Sequence, residues 1–154
     1  LVADFNSVTK ELVISGSPSI AKDQNNYSVE HTSGTALNLQ GNMIINPLPS
    51  LTFDADPESC EGNSDSSLSF SNVIADPVSY SITWNTPGFQ NVYDQPFPLT
   101  DIPLVIPPSA TAGVHTGTLT LKNANGCTKP LSFNLKINPK PSVPHVSVPL
   151  TSQY

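Results

Sequence analysis

The stretch Thr116-Gly117-Thr118-Leu119-Thr120-Leu121-Lys122-Asn123-Ala124-Asn125-Gly126-Cys127-Thr128-Lys129-Pro130-Leu131-Ser132-Phe133-Asn134-Leu135-Lys136-Ile137-Asn138 decides the fold. Leu131, Phe133, Leu135 and Ile137 alternate with Ser132, Asn134, Lys136 and Asn138. A β-strand sends successive side chains to opposite faces, so this pattern predicts a strand buried on one face. Leu119 and Leu121 sit between threonines in the same way. Asn123-Ala124-Asn125-Gly126 between the two runs reads as a hairpin turn, with Gly126 supplying a positive φ.

The same alternation recurs further back. Val78, Tyr80, Ile82 and Trp84 alternate with Ser79, Ser81, Thr83 and Asn85. Leu68 and Phe70, Leu51-Thr52-Phe53 and Leu104-Val105-Ile106 bring the set to six or seven strands. Seven strands and no helix in about 92 residues are the dimensions of an immunoglobulin-like antiparallel β-sandwich. Trp84 on the third strand is the expected centre of the core, with Tyr80 and Phe133 beside it. The composition agrees. Sixteen prolines and eight glycines in 154 residues disfavour long helices and suit short strands joined by turns.

Charge excludes some functions. Six lysines, no arginine and twelve acidic residues give a net charge of −6. Nucleic-acid binding needs a dense basic face, and anionic lipid needs one too. No apolar run approaches the roughly 20 residues of a membrane helix, so neither nucleic acid nor membrane insertion is expected.

An internal repeat sets the organisation. Ile45-Asn46-Pro47-Leu48-Pro49-Ser50 returns as Ile137-Asn138-Pro139-Lys140-Pro141-Ser142, an offset of 92. At the same offset Leu12-Val13-Ile14 matches Leu104-Val105-Ile106, and Phe5 matches Phe97. About fourteen of the 62 overlapping pairs are identical, against roughly four expected by chance. Residues 47–138 therefore read as one complete module, 1–46 as the C-terminal half of a preceding one, and 139–154 as a linker and the start of the next. The chain reads as a window onto a tandem array, with any leader segment absent or removed. Prolines at alternate linker positions fix φ and extend their neighbours, which makes a semi-rigid spacer.

No catalytic or nucleotide-binding motif is present, and an enzyme is not expected. His31, His115 and His145 are isolated in sequence. His115 begins a late strand, where it is expected to bond back to a nearby corner. Asp54, Asp56 and Glu58, with Glu61 and Asp65 nearby, are weak calcium candidates; the spacing is not that of an EF-hand, and Pro57 interrupts it. A solvated acidic end is the competing reading. No cofactor is called for. Phe89, Tyr93 and Phe97, in a Pro/Gly-rich stretch over 86–101, are the candidate sugar-stacking aromatics of an accessory carbohydrate-binding module, or else they seal the sandwich edge. Cys60 follows the first strand and Cys127 opens the last. If the first strand leaves the linker end and the last returns to it, the two cysteines meet at the far end in a disulfide. Two reduced thiols are the alternative; a zinc site is not, because two lone thiols cannot fill four positions.

The run Thr116–Cys127, the Ile137-Asn138-Pro139 joint and Ser59-Cys60-Glu61-Gly62 together resemble the tandem immunoglobulin-like repeats of very large Bacteroidetes cell-surface proteins, the SprB-like gliding-motility adhesins exported by type IX secretion. That resemblance implies a non-catalytic extracellular stalk and a cysteine bridge within many repeats. The implied partners are neighbouring repeats, secretion or motility machinery, and surface polysaccharide. The chain departs from those repeats at His115, where tyrosine is commoner, and at Thr35, which stands where Cys127 stands in the next copy.

Overall fold

The computed structural model describes residues 2–30 and 38–141. Every regular element among them is a strand, and the fold is an all-β sandwich. The strands are β1 (Val2–Asn6), β2 (Glu11–Ser15), β3 (Lys22–Glu30), β4 (Asn38–Ile45), β5 (Ser50–Phe53), β6 (Glu58–Cys60), β7 (Asp65–Leu68), β8 (Phe70–Ile74), β9 (Pro77–Trp84), β10 (Val92–Pro96), β11 (Ile102–Val105), β12 (Gly113–Asn123) and β13 (Thr128–Asn138).

One face of the sandwich is a sheet in the order β10-β9-β12-β13-β6. The other face consists of β5 paired with β8 and β11 paired with β7. β7 and β8 are one run interrupted at Ser69, and β5 and β6 are one run that changes sheets. Counted as runs, the nine segments from 50 to 138 make seven strands.

The alternating side chains close the core between the sheets. Leu51, Leu68, Ile102 and Leu104 come from one face; Tyr80, Ile82, Leu119, Leu121 and Phe133 come from the other. A second cluster of Ile106, Leu135 and Ile137 continues it, and the half-buried Trp84 packs against both clusters. The Trp84 ring lies 5.2 Å from Phe133, edge to face, and 4.5 Å from Phe89. Burying side chains of this size contributes about 1.5–3 kcal/mol each. The β12–β13 turn has Gly126 at φ 79°, its N–H donating to Asn123 C=O at 3.0 Å.

The polarity of the first strand differs from expectation. β6 pairs with β13 in parallel, with Ser59 opposite Ile137 and Cys60 opposite Asn138. β5 and β6 therefore run the same way as the last strand. The chain comes in at the pole that carries the β12–β13 turn, where Asn123 Nδ2 donates to Pro47 C=O at 3.1 Å. It leaves at the opposite pole, beyond Asn138. We call these the hairpin pole and the exit pole. They are separated by the 11 residues of β13, about 36 Å at ~3.3 Å per residue.

β1 to β4 are built differently. Among the described residues, β1 pairs only with β2, and β3 only with β4. The offset of 92 nevertheless carries these four strands onto β10 to β13, to within two residues at each end. β3–β4 repeats the β12–β13 pairing, whereas β10 and β11 pair with β9 and β7. Large apolar side chains of this segment stay open to solvent: Val8 is 87 % exposed, Ile20 73 % and Ile44 63 %.

Candidate functional site

The hydrogen bonds that hold the entering and leaving chain lie at the two poles of the sandwich. At the hairpin pole one side chain does most of the binding. Asn123 is 4 % exposed. Its Oδ1 accepts the Cys127 N–H at 3.0 Å, and its Nδ2 reaches Pro47. Pro49 is fully buried under the same pole. Lys129 Nζ donates to Ser50 Oγ at 3.0 Å. The incoming chain is thus fastened to the hairpin and its last strand at Pro47 and Ser50, with Pro49 buried between them.

At the exit pole two carboxylates hold the outgoing chain. Glu58 accepts from Asn138 Nδ2 at 3.1 Å and from Lys136 Nζ at 3.2 Å. The Asn138 hydrogen bond, then the Lys136 hydrogen bond and charge, hold its carboxyl below the ordinary value. Glu61 accepts the backbone N–H of Ala112 at 2.8 Å and that of Lys140 at 3.3 Å. These two N–H groups, Ala112 first, lower its pKa as well. Glu61 N–H itself donates to Asn138 C=O at 3.0 Å.

Neither cysteine is bridged. Cys60 and Cys127 are both free. Cys60 stands opposite Asn138 at the exit pole, while Cys127 sits beside the hairpin turn. The expected bridge is corrected by the direction of β6. A disulfide needs Cα atoms within about 7 Å, and a parallel first strand moves Cys60 to the far end of β13 from Cys127.

The acidic candidates are divided between the sheets. Asp54 follows β5 and accepts a hydrogen bond from Ser71 Oγ on β8. Glu58 belongs to β6 and faces β13. The buried Pro57 marks the crossing, its C=O accepting the Lys136 N–H at 2.9 Å. Asp56 is exposed between them. Among the described residues no three His, Cys, Asp or Glu side chains gather in one metal-holding group.

His115 is buried, with Nε2 2.9 Å from Thr111 C=O and its ring 4.9 Å from Phe89. Such a bond back across the turn that precedes the strand is the corner role expected from its position. His31 and His145 lie outside the described residues. Of the three loop aromatics, Phe89 packs on Trp84 and Phe97 on Phe70 at 5.2 Å. Tyr93 alone is presented to solvent, 60 % exposed, and its hydroxyl accepts from Asn91 Nδ2. One exposed ring does not make a stacking platform. The Pro/Gly-rich stretch over 86–101 also contains β10, whose single inward apolar residue, Val92, gives too short an alternation to recognise.

Recesses also open on the surface, two of which bear on the core. A groove of about 220 Å³ opens between β10 and β11, floored by Tyr80, Ile82 and Leu104. Burial raises the Tyr80 phenol pKa. A wider recess of about 570 Å³ lies along β3 and β4 and includes Tyr27 and Gly41. At the repeat offset these two residues stand where Leu119 and Phe133 stand in the core. The sequence reading missed Asn123 and Glu61 as pole residues; the turn and the Pro-X-Pro joint beside them were the available signals.

Compared with known proteins, the chain matches no family model and no curated protein.

Proposed function

We propose that this chain is part of a non-catalytic extracellular stalk, a spacer of repeated sandwiches in a large cell-surface adhesin serving gliding motility or surface attachment. The observation that carries the reading is the placement of Pro47 and Asn138 at opposite poles of one sandwich. A module entered at one end and left at the other adds its full length to the chain. A module whose ends meet adds none. The 92-residue repeat, the proline joints and the half-sandwich character of residues 1–46 support a series of such modules. The resemblance to Bacteroidetes surface repeats supplies the cellular setting. A low-charge, acidic exterior rich in Ser, Thr and Asn suits chains kept apart in solution.

Immunogold labelling of intact cells with antibody raised against this chain tests the reading. Gold at and beyond the outer surface is expected, and its loss after brief external protease treatment. Labelling that appears only after lysis contradicts it. A polysaccharide pull-down run in parallel asks about the accessory-module alternative, for which retention on sugar would be required.

A further inference from the structure

The offset of 92 overlays the outgoing joint, residues 138–141, on the incoming joint, residues 46–49. The two joints are seen from opposite sides. At the outgoing joint, Asn138 and Lys140 turn back to the module already passed. Asn138 bonds to Glu58 through its side chain and to Glu61 through its C=O; Lys140 bonds through its N–H to Glu61. At the incoming joint, Pro47 and Pro49 turn forward to the module about to begin, one through its C=O to Asn123 and the other through its buried ring. Leu48, the counterpart of Lys140, is 55 % exposed on that side.

From this we infer that the Asn-Pro-X-Pro joint is a two-sided clamp, with alternate residues held by successive modules, so that the exit pole of one module and the hairpin pole of the next are fixed against each other. The partner for the Glu58–Glu61 surface is the joint and hairpin pole of a second module of the same kind. The inference rests on the tandem reading above and adds the geometry of the join.

Elementary stereochemistry makes the division work. Proline fixes φ near −65° and holds the residue before it extended. Four residues of Asn-Pro-X-Pro are therefore extended together, and an extended chain presents its groups alternately to opposite sides. Proline has no N–H, so the forward positions need no donor partner. The position between the prolines keeps its N–H, and at residue 140 Glu61 accepts it. No residue of the joint is left as a swivel. This goes further than a semi-rigid linker, whose stiffness would come from the prolines alone.

The test is a chain in which residues 47–138 are duplicated in place, 1–138 followed by 47–154, so that both natural flanks are kept. Residual dipolar couplings are measured for each copy. Equal alignment magnitudes, to within about a tenth, are expected for two clamped copies. Glu61→Ala in the leading copy is expected to lower the order of one copy relative to the other severalfold, while core resonances of both remain as in the parent. Independent alignment of two folded parent copies overturns the clamp. In the unaltered 154-residue chain, the amides of Ala112 and Lys140 are expected to exchange about tenfold faster in Glu61→Ala than in the parent; equal rates also overturn it. Whether the native polypeptide carries further copies is a separate matter, decided by reading the sequence on either side, so the clamp and the array stand or fall apart.

Discussion

At the scale of single residues, two positions carry unusual weight. Gly117 on β12 faces Phe133 on β13, and a Cβ there would come within 2.8 Å of Phe133 Cε1 and closer to Cζ. The ring lies where a side chain would otherwise be, which shields the glycine backbone and seats the ring beside Trp84. Tyr27 and Gly41 form the same kind of pair on β3 and β4, with the aromatic and the glycine exchanged between strands. Gly117→Ala is expected to cost about 1–3 kcal/mol through overpacking. Phe133→Leu should restore part of that loss in the double variant although it is destabilising alone. Urea unfolding of the four proteins measures the coupling; simple additivity would contradict the contact. Asn123 is the second position. Asn123→Ala leaves the Pro47 C=O and the Cys127 N–H without their partner, and orphaning such groups costs about 1–3 kcal/mol each where buried. The midpoint of urea unfolding should fall accordingly, and Asn123→Asp, which keeps only the acceptor, should lie between the two.

At the scale of elements, the hairpin was legible and the direction of the first strand was not. Leu131 to Ile137 and Leu119 with Leu121 declare their period in the sequence, and Asn123 to Gly126 declares the turn. Hydrophobic alternation reports which face of a strand is buried. It does not report which strand lies alongside, or in which direction. The chain from Leu51 to Cys60 crosses between sheets at Pro57, and nothing in its alternation says that β6 will lie parallel to β13. The error in strand direction carried directly into the cysteine pairing. A buried proline in mid-run was the one local hint, because proline favours breaks and edges. The edges show this rule elsewhere. Among the described residues, β11 pairs only with β7 and carries Pro103, and β10 pairs only with β9 and is kinked by a bulge at Asp94, φ 47°. Such features discourage pairing with another chain.

The exit pole also has a pH dependence at this scale. Glu58 and Glu61 have lowered pKa values in the folded chain. A carboxyl whose folded value lies below its unfolded value adds stability above the unfolded value, near pH 4.3. That contribution is lost as pH falls through the folded value. Acid titration should therefore weaken the folded chain below about pH 4, with little change from these groups between pH 5 and 7. Glu58→Gln with Glu61→Gln should flatten that part of the profile. Both groups are exposed, so the effect is confined to the pole and screened by salt. An unchanged acid limb in the double variant would contradict the assignment.

At the scale of the whole molecule, the repeat read from Ile45–Ser50 and Ile137–Ser142 reappears as four strands, β1 to β4, laid out like β10 to β13. What differs is pairing, and the reason is physical. β10 and β11 rest on β9 and β7, while β1 and β2 pair with each other, leaving Phe5 55 % exposed where Phe97 is half-buried and Tyr27 39 % exposed where Leu119 is fully buried. If residues 1–46 are half a sandwich, they cannot close a core by themselves. Supplying a separate chain of residues 47–92, the counterpart of the first half, should therefore quench dye binding to that exposed surface, and no quenching would contradict the half-module reading.

The central claim is that the sandwich is entered at one pole and left at the other. The two native cysteines mark those poles, so pulsed dipolar EPR with nitroxides on Cys60 and Cys127 measures the claim directly. Without reductant, both thiols should label fully, and the distance distribution should centre on the order of 35–40 Å, the length of β13 plus the label arms. Thiols that resist labelling until reduced, or a distance below about 15 Å, would put the end of the first strand and the start of the last at one pole and contradict the account.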